Sequence, residues 1–148
     1  MANMNQFKDE YQNIVDQNTP KNKVWSNSVK AFLVGGIICS IGQALINLYM
    51  YLGLSFEESS TLGTVTLILI SAILTAFNVY DNIGKFAGAG ALIPITGFAN
   101  SMVASAMEYK KEGFIYGMGA KLFTIAGPVI IYGTIASVVI GIIYYFIK

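Results

Sequence analysis

The sequence predicts an all-α, polytopic integral membrane protein with about three to four transmembrane helices plus a Gly/Pro-broken re-entrant segment. Three observations predict it. Charged residues number 17 in 148, or 11%, where a soluble domain carries roughly a quarter. Seven of the 17 charges fall in the first 30 residues, and the other ten leave four uncharged stretches, 31–56, 59–80, 86–107 and 122–147. These hold 26, 22, 22 and 26 residues, and roughly 20 residues at 1.5 Å rise cross a hydrocarbon core of ~30 Å. Finally, all 15 glycines lie after residue 30, and glycine is enriched in membrane helices because it lets them approach closely.

The same composition excludes several function classes. A net charge of +1 without any Arg gives no basic footprint for nucleic acid. With no His and a single Cys39 inside an apolar run, a His/Cys metal site, a Ser–His or Cys–His nucleophile and a disulfide framework are all absent. An enzyme is the least favoured reading, and no cofactor is implied.

Residues 1–30 read as a polar, cytoplasmic N-terminal segment, and 31–148 as the membrane domain. Phe7, Tyr11 and Ile14 stand at helical spacing, which suits a short surface helix. Asp9, Glu10 and Asp16 exclude a cleavable signal peptide. Thr19-Pro20 ends that helix, and Lys21, Lys23, Trp25 and Lys30 lead in as interfacial anchors.

The first span is expected at about 31–54, closing on Tyr49 and Tyr51. Gly36, Ser40, Gln43 and Asn47 stack on one of its faces. In the second span, about 59–80, Thr64, Ser71, Thr75 and Asn78 share a face with Asn82 beyond it. Such stripes must meet protein or water, because lipid satisfies no polar group. Helix packing and a polar pathway are both compatible with them.

The stretch 86–107 differs. Gly88, Gly90, Pro94 and Gly97 fall within ten residues, and in a helix interior Gly costs about 1 kcal/mol and Pro about 3. Irregular backbone at membrane depth survives only where protein or a watery cavity covers it. The lysines place residues 1–30, the loop holding Lys85, and the cluster Lys110-Lys111 on the cytoplasmic side, with Glu57 and Glu58 outside. Two cytoplasmic flanks make 86–107 a segment that dips in and returns, with a straight crossing as the alternative. The last region, about 122–147, is expected as a short helix to Thr124, a kink at Pro128 and a final span. Thr134, Ser137 and Gly141 line one face of that span, and Tyr144, Tyr145 and Lys148 anchor its end.

The run Lys30–Gln43, Tyr80-Asp-Asn-Ile83, Phe86-Ala-Gly-Ala-Gly90, Pro94-Ile-Thr-Gly-Phe98, Ala99-Asn-Ser-Met102, Glu112-Gly113 and Ala126–Gly133 together resemble the stage V sporulation AC/AE membrane family, with the detail nearest its AC branch. The resemblance covers about residues 30–133. It implies a subunit of the SpoVA complex in the inner membrane of bacterial endospores, which moves dipicolinic acid, with calcium, into the forespore and releases it at germination. It further implies a channel role, possible opening by membrane tension, an AE-like membrane partner and a soluble AD-like partner.

Dipicolinate is a small aromatic dianion, so its route needs donors and no bond chemistry. Backbone N–H groups at a broken-helix terminus supply them. This makes Gly88, Gly90, Pro94, Thr96, Gly97 and Asn100 the pore or gating candidates. Gly88 and Gly90, two apart, are expected to take positive φ or to leave room for a solute. Lys85 and Lys121 are candidates for steering anions, or else snorkelling interfacial residues. Gln43, Asn47, Ser71, Thr75 and Asn78 are the polar-stripe candidates. Asp81 caps a helix or braces a loop, or takes part in gating. The alternative function is a non-conducting scaffold that positions partners. A proton- or sodium-coupled transporter is disfavoured because Glu57, Glu58, Asp81, Glu108 and Glu112 all sit at span edges.

Overall fold

The computed structural model describes residues 7–8, 10–15 and 23–147. Asp9, Asp16, Thr19-Pro20, Lys21 and Lys148 lie outside the described residues. Residues 7–8 and 10–15 are helical. The rest is an all-α membrane protein built from α1 (Val24–Tyr51), α2 (Phe56–Ala76), α3 (Tyr80–Ala87), α4 (Ala89–Leu92), α5 (Ile95–Glu108) and α6 (Ala120–Ile147). Between α5 and α6 stand a 3-10 turn, Tyr109–Glu112, and a π-helical turn, Phe114–Gly119. Three described segments are long and apolar enough to cross a bilayer: Val24–Tyr51, Phe56–Ala76 and Phe114–Ile147.

Helix α1 is a single 28-residue rod that starts at Val24, so the boundary expected at residue 30 lies inside a continuous helix. Its far end is closed by Gly53 at φ 95°, with hydrogen bonds from Gly53 N–H to Met50 O (3.0 Å) and Leu54 N–H to Tyr49 O (3.2 Å). Ser55 then opens α2 through a capping box: the Glu58 N–H donates to Ser55 Oγ and the Ser55 N–H donates to Glu58. α2 ends at Ala76, four residues earlier than expected. The reason is Asn78, which adopts left-handed φ 57° and closes the helix with bonds to Thr75 O and from Val79 N–H to Leu74 O, both 2.9 Å.

The two long helices pack by close approach. A Cβ at Gly63 would sit 3.2 Å from Ile46, one at Gly42 would sit 3.3 Å from Leu67, and the Tyr49 and Thr66 hydroxyls are 2.8 Å apart. Toward the lysine-rich end the helices admit the segment Tyr80–Glu108 between them. Its core is Tyr80, Ala87 and Ala91 against Val34, Ile38, Leu74 and Ile83.

That segment is a hairpin. Ser71 pairs with Thr96 and Thr75 with Asn100, so α5 runs parallel to α2. The end of α5 returns beside the end of α2, where Thr75, Asn78, Asp81, Met107 and Glu108 line one crevice. The apex, Ile93 and Pro94, shares a hollow with Cys39 of α1. Nine helical residues separate Cys39 from Lys30, which is ~14 Å, about half of a ~30 Å hydrocarbon core. The chain runs in as far as the level of Cys39 and comes back.

Helix α6 is continuous through Pro128, and the separate short helix expected up to Thr124 is absent. Proline removes one N–H and strains the turn before it, yet no water is present in hydrocarbon to take over freed carbonyls, so the helix persists. Its neighbours are α5 and the π-helical turn. From Pro128 to Ile147 every residue is exposed.

Candidate functional site

The hairpin gathers most of the residues singled out by sequence. Pro94 precedes α5 with ψ 165° and caps it, fixing the turn at the apex. Four polar side chains meet beneath it, each between 1% and 8% exposed: Ser71, Thr75, Thr96 and Asn100. Ser71 Oγ donates to Thr96 O at 2.6 Å. Thr75 Oγ1 lies 2.7 Å from Ser71 O and 2.8 Å from Asn100 Oδ1. One hydroxyl hydrogen serves one acceptor. The Ser71 carbonyl takes it, and an Asn100 amide turned with its NH2 toward Thr75 supplies the second bond.

Tyr80 completes the network. Its hydroxyl is 2.8 Å from Ala91 O and 2.7 Å from Thr96 Oγ1. The carbonyl has no hydrogen, so the phenol donates to it and accepts from Thr96. Thus α2, α3, α4 and α5 are tied by side chains whose polar groups are satisfied internally, as hydrocarbon demands. Sequence reading overlooked Tyr80 as a buried anchor and Ser59 and Gly63 as the upper part of the α2 seam. The spacing was the signal: Ser59, Gly63, Leu67, Ser71 and Thr75 follow at steps of four.

The other candidates separate. Thr64 is exposed and donates to Ser60 O of its own helix. Asn78 is exposed and terminates α2. Gln43 and Asn47 face outward from α1, with Gln43 Nε2 donating to Asn47 Oδ1 at 2.9 Å. Of the α2 stripe, only Ser71 and Thr75 face protein, whereas the α1 stripe has no cover within the protomer.

The two glycines of the Phe86–Gly90 block also differ. Gly88 takes φ 55° and ψ −125° between α3 and α4, a region that excludes L side chains. Gly90 does not take positive φ. A Cβ there would fall 2.1 Å from Ala31 O and 2.6 Å from Ala31 Cα, so its missing side chain seats α4 directly on the backbone of α1. The space above Gly90 holds a helix and not a solute. Gly97 is likewise pressed against Leu92 O.

Asp81 is not the N-cap of α3, which is Val79, and its side chain makes no hydrogen bond or ion pair among the described residues. It stands in the first turn of α3, with Lys85 in the last, the arrangement that the helix dipole favours. Lys85 and Gly88 line a crevice of about 400 Å³ with Asn27, Ser28 and Ala31 of α1. At this rim Lys30 Nζ lies 4.9 Å above the Phe86 ring. Lys121 is elsewhere, 4.4 Å above the Tyr109 ring. Among the described residues no three His, Cys, Asp or Glu side chains come together to hold a metal ion.

Comparison with known proteins gives these features a family. Residues 27–143 match the profile of the SpoVAC/SpoVAEB sporulation membrane protein family. The chain is 48% identical over 145 residues to stage V sporulation protein AC of Bacillus subtilis (strain 168), an alignment covering 96% of this chain and 95% of that protein. No solved structure matches. The matched region takes in most of α1, all of α2 and the hairpin, and most of α6, and the chain belongs to the SpoVAC/SpoVAEB family of sporulation membrane proteins.

Proposed function

We propose that this chain is a pore-forming subunit of a complex in the inner membrane of the endospore. The complex moves dipicolinic acid, with calcium, into the forespore during sporulation and out during germination, under the control of membrane tension. An AE-like membrane subunit and a soluble AD-like subunit are its partners. The observation that supports this reading is the half-depth hairpin with a polar crevice at its base. Lys85 lies on the crevice wall beside the Gly88 break, at the end where a cationic rim concentrates an anion. A dianion of one aromatic ring fits within about 400 Å³.

A second reading has its own support. Ser71, Thr75, Thr96 and Asn100 bond to one another and are buried, so a single protomer offers no open polar path along them. On this reading the chain is a scaffold that positions partners. Spores carrying Lys85→Gln or Gly88→Val distinguish the two, with membrane levels of the protein measured in parallel. A conducting hairpin gives slowed dipicolinate uptake and release, roughly two- to tenfold for the lysine, and a larger loss for Gly88→Val. Unchanged accumulation and release in both variants gives the lead to the scaffold.

A further inference from the structure

We propose that α6 of one copy packs, head to tail, along the polar face of α1 of a second copy of this chain. The inference holds whether the assembly conducts a solute or only anchors partners.

Two faces of the protomer lack cover. On α6, Gly133, Ser137 and Gly141 follow at steps of four, and no atom lies within 4 Å of a Cβ built on either glycine. A small-residue face of this spacing lets two membrane helices bring their backbones together. On α1, Gly36, Ser40, Gln43 and Asn47 are all exposed. Ser40 satisfies its hydroxyl on Gly36 O. The Gln43–Asn47 bond uses one donor and one acceptor, which leaves Gln43 Oε1 and Asn47 Nδ2 without partners among the described residues. Lipid supplies none.

The faces complement each other in chemistry and in depth. Thr134 and Ser137 make no side-chain hydrogen bond among the described residues, and a hydroxyl both donates and accepts. One hydroxyl gives to Gln43 Oε1 and the other receives from Asn47 Nδ2. Gln43 and Thr134 each lie 13 residues beyond a lysine near the start of their helix, Lys30 at the seventh position of α1 and Lys121 at the second of α6. Asn47 and Ser137 lie 17 and 16 residues beyond, and Gly36 and Gly127 both six. Both helices start at the lysine-rich end, so they run parallel, and the polar positions come into register when Lys30 and Lys121 sit at one depth.

The two faces belong to one chain, so a second copy supplies each with the other. The protomer exposes 11666 Å², whereas a compactly folded chain of 16.0 kDa exposes about 7,400 Å². The excess includes lipid-facing surface and leaves room for a subunit interface of roughly 2,000–5,000 Å². Within one protomer α1 packs on α2 and the hairpin, and α6 on α5 and the turn before it, so the two faces meet only between chains. A symmetric α6–α6 pair would cover the glycines and leave the amides in lipid. A head-to-tail contact satisfies both and repeats, which builds rings.

Ser40→Cys and Ile130→Cys, placed together in a Cys39→Ser chain, test the contact without touching Gln43, Asn47, Thr134 or Ser137. The chain is produced in bacterial membranes that lack other sporulation proteins, oxidised with copper phenanthroline and run on a denaturing gel. The expected result is a ladder of dimers, trimers and higher species from the double variant and none from either single variant. Adding Gln43→Leu weakens the ladder roughly fivefold to tenfold, and Gly133→Leu with Gly141→Leu, both directed into open space, abolishes it. Cross-linking by Ile130→Cys alone means an α6–α6 pair and overturns the proposal. Thiol loss without a mass change, or no cross-linking at all, overturns it as well.

Discussion

The Tyr80 and Thr96 hydroxyls lie 2.7 Å apart, joining the first turn of α3 to the first turn of α5 beneath the apex of the hairpin. Tyr80 also holds Ala91 O at 2.8 Å, so one phenol spans three of the four helices that meet there. Tyr80→Phe keeps the ring and deletes the bridge. It leaves a buried carbonyl and a buried hydroxyl unpaired, which costs about 1–3 kcal/mol. The expected outcome is a lower melting temperature in detergent and faster proteolysis within residues 80–108, with unchanged insertion of α1 and α2.

Gly90 and Gly88 separate packing from backbone conformation. Gly90→Ala places a Cβ on the Ala31 backbone, and neither helix has a flexible side chain there to yield. The hairpin should be expelled from α1, seen as strong loss of folded protein and as new labelling of a cysteine in α4. Gly88→Ala meets no atom within 4 Å, and its cost is the backbone strain of φ 55° and ψ −125°, about 1–3 kcal/mol. Folded yield should fall much further in Gly90→Ala than in Gly88→Ala. Equal yields would show that α4 does not rest on α1.

The three long helices and the broken segment were legible in the sequence because charge spacing and Gly/Pro content report directly on hydrocarbon and on helix propensity. The hairpin followed from lysines at both of its flanks. The detail of the site was not legible, since a polar stripe shows what needs a partner and does not name the partner. Ser71 and Thr75 find theirs in Thr96 and Asn100, 25 residues away. Gln43 and Asn47 carry a similar pattern and find only each other inside the chain. Gly90 misled for a related reason: proximity to Gly88 suggested a shared turn, whereas its role is set by Ala31, far along the sequence. Asn78 looked like the continuation of a face, and only its left-handed φ shows that the helix has ended.

Thr75 and Asn100 form the central pair of the buried network, and a double-mutant cycle measures their coupling. Thr75→Val removes a hydroxyl and strands the Asn100 amide, so it should destabilise by about 1–3 kcal/mol. Asn100→Leu removes the amide and leaves Thr75 bonded to Ser71 O, a smaller loss. With both replaced, no polar group is stranded, and the combined cost should fall below the sum of the two by roughly 0.5–2 kcal/mol. Chemical unfolding in detergent reads the four variants. Strict additivity would mean that water, and not Thr75, satisfies Asn100.

The return of the hairpin predicts the sidedness of its ends. Asp81 and Glu108 line one crevice with Thr75 and Asn78, and the apex at Pro94 reaches only the level of Cys39. Both flanks therefore meet the same aqueous phase, while the Gly53–Ser55 turn between α1 and α2 meets the other. Single cysteines replacing Lys85, Lys110 and Ser55 in a Cys39→Ser chain report this through a membrane-impermeant maleimide. In sealed vesicles the Lys85 and Lys110 positions should label together, from the side opposite to Ser55. If Lys110 labels with Ser55, the segment crosses the bilayer in the cell and the parallel pairing of α2 with α5 is not its membrane state. Labelling of Lys85 and Lys110 at unequal rates from one side leaves the hairpin intact and locates the more open flank of the crevice.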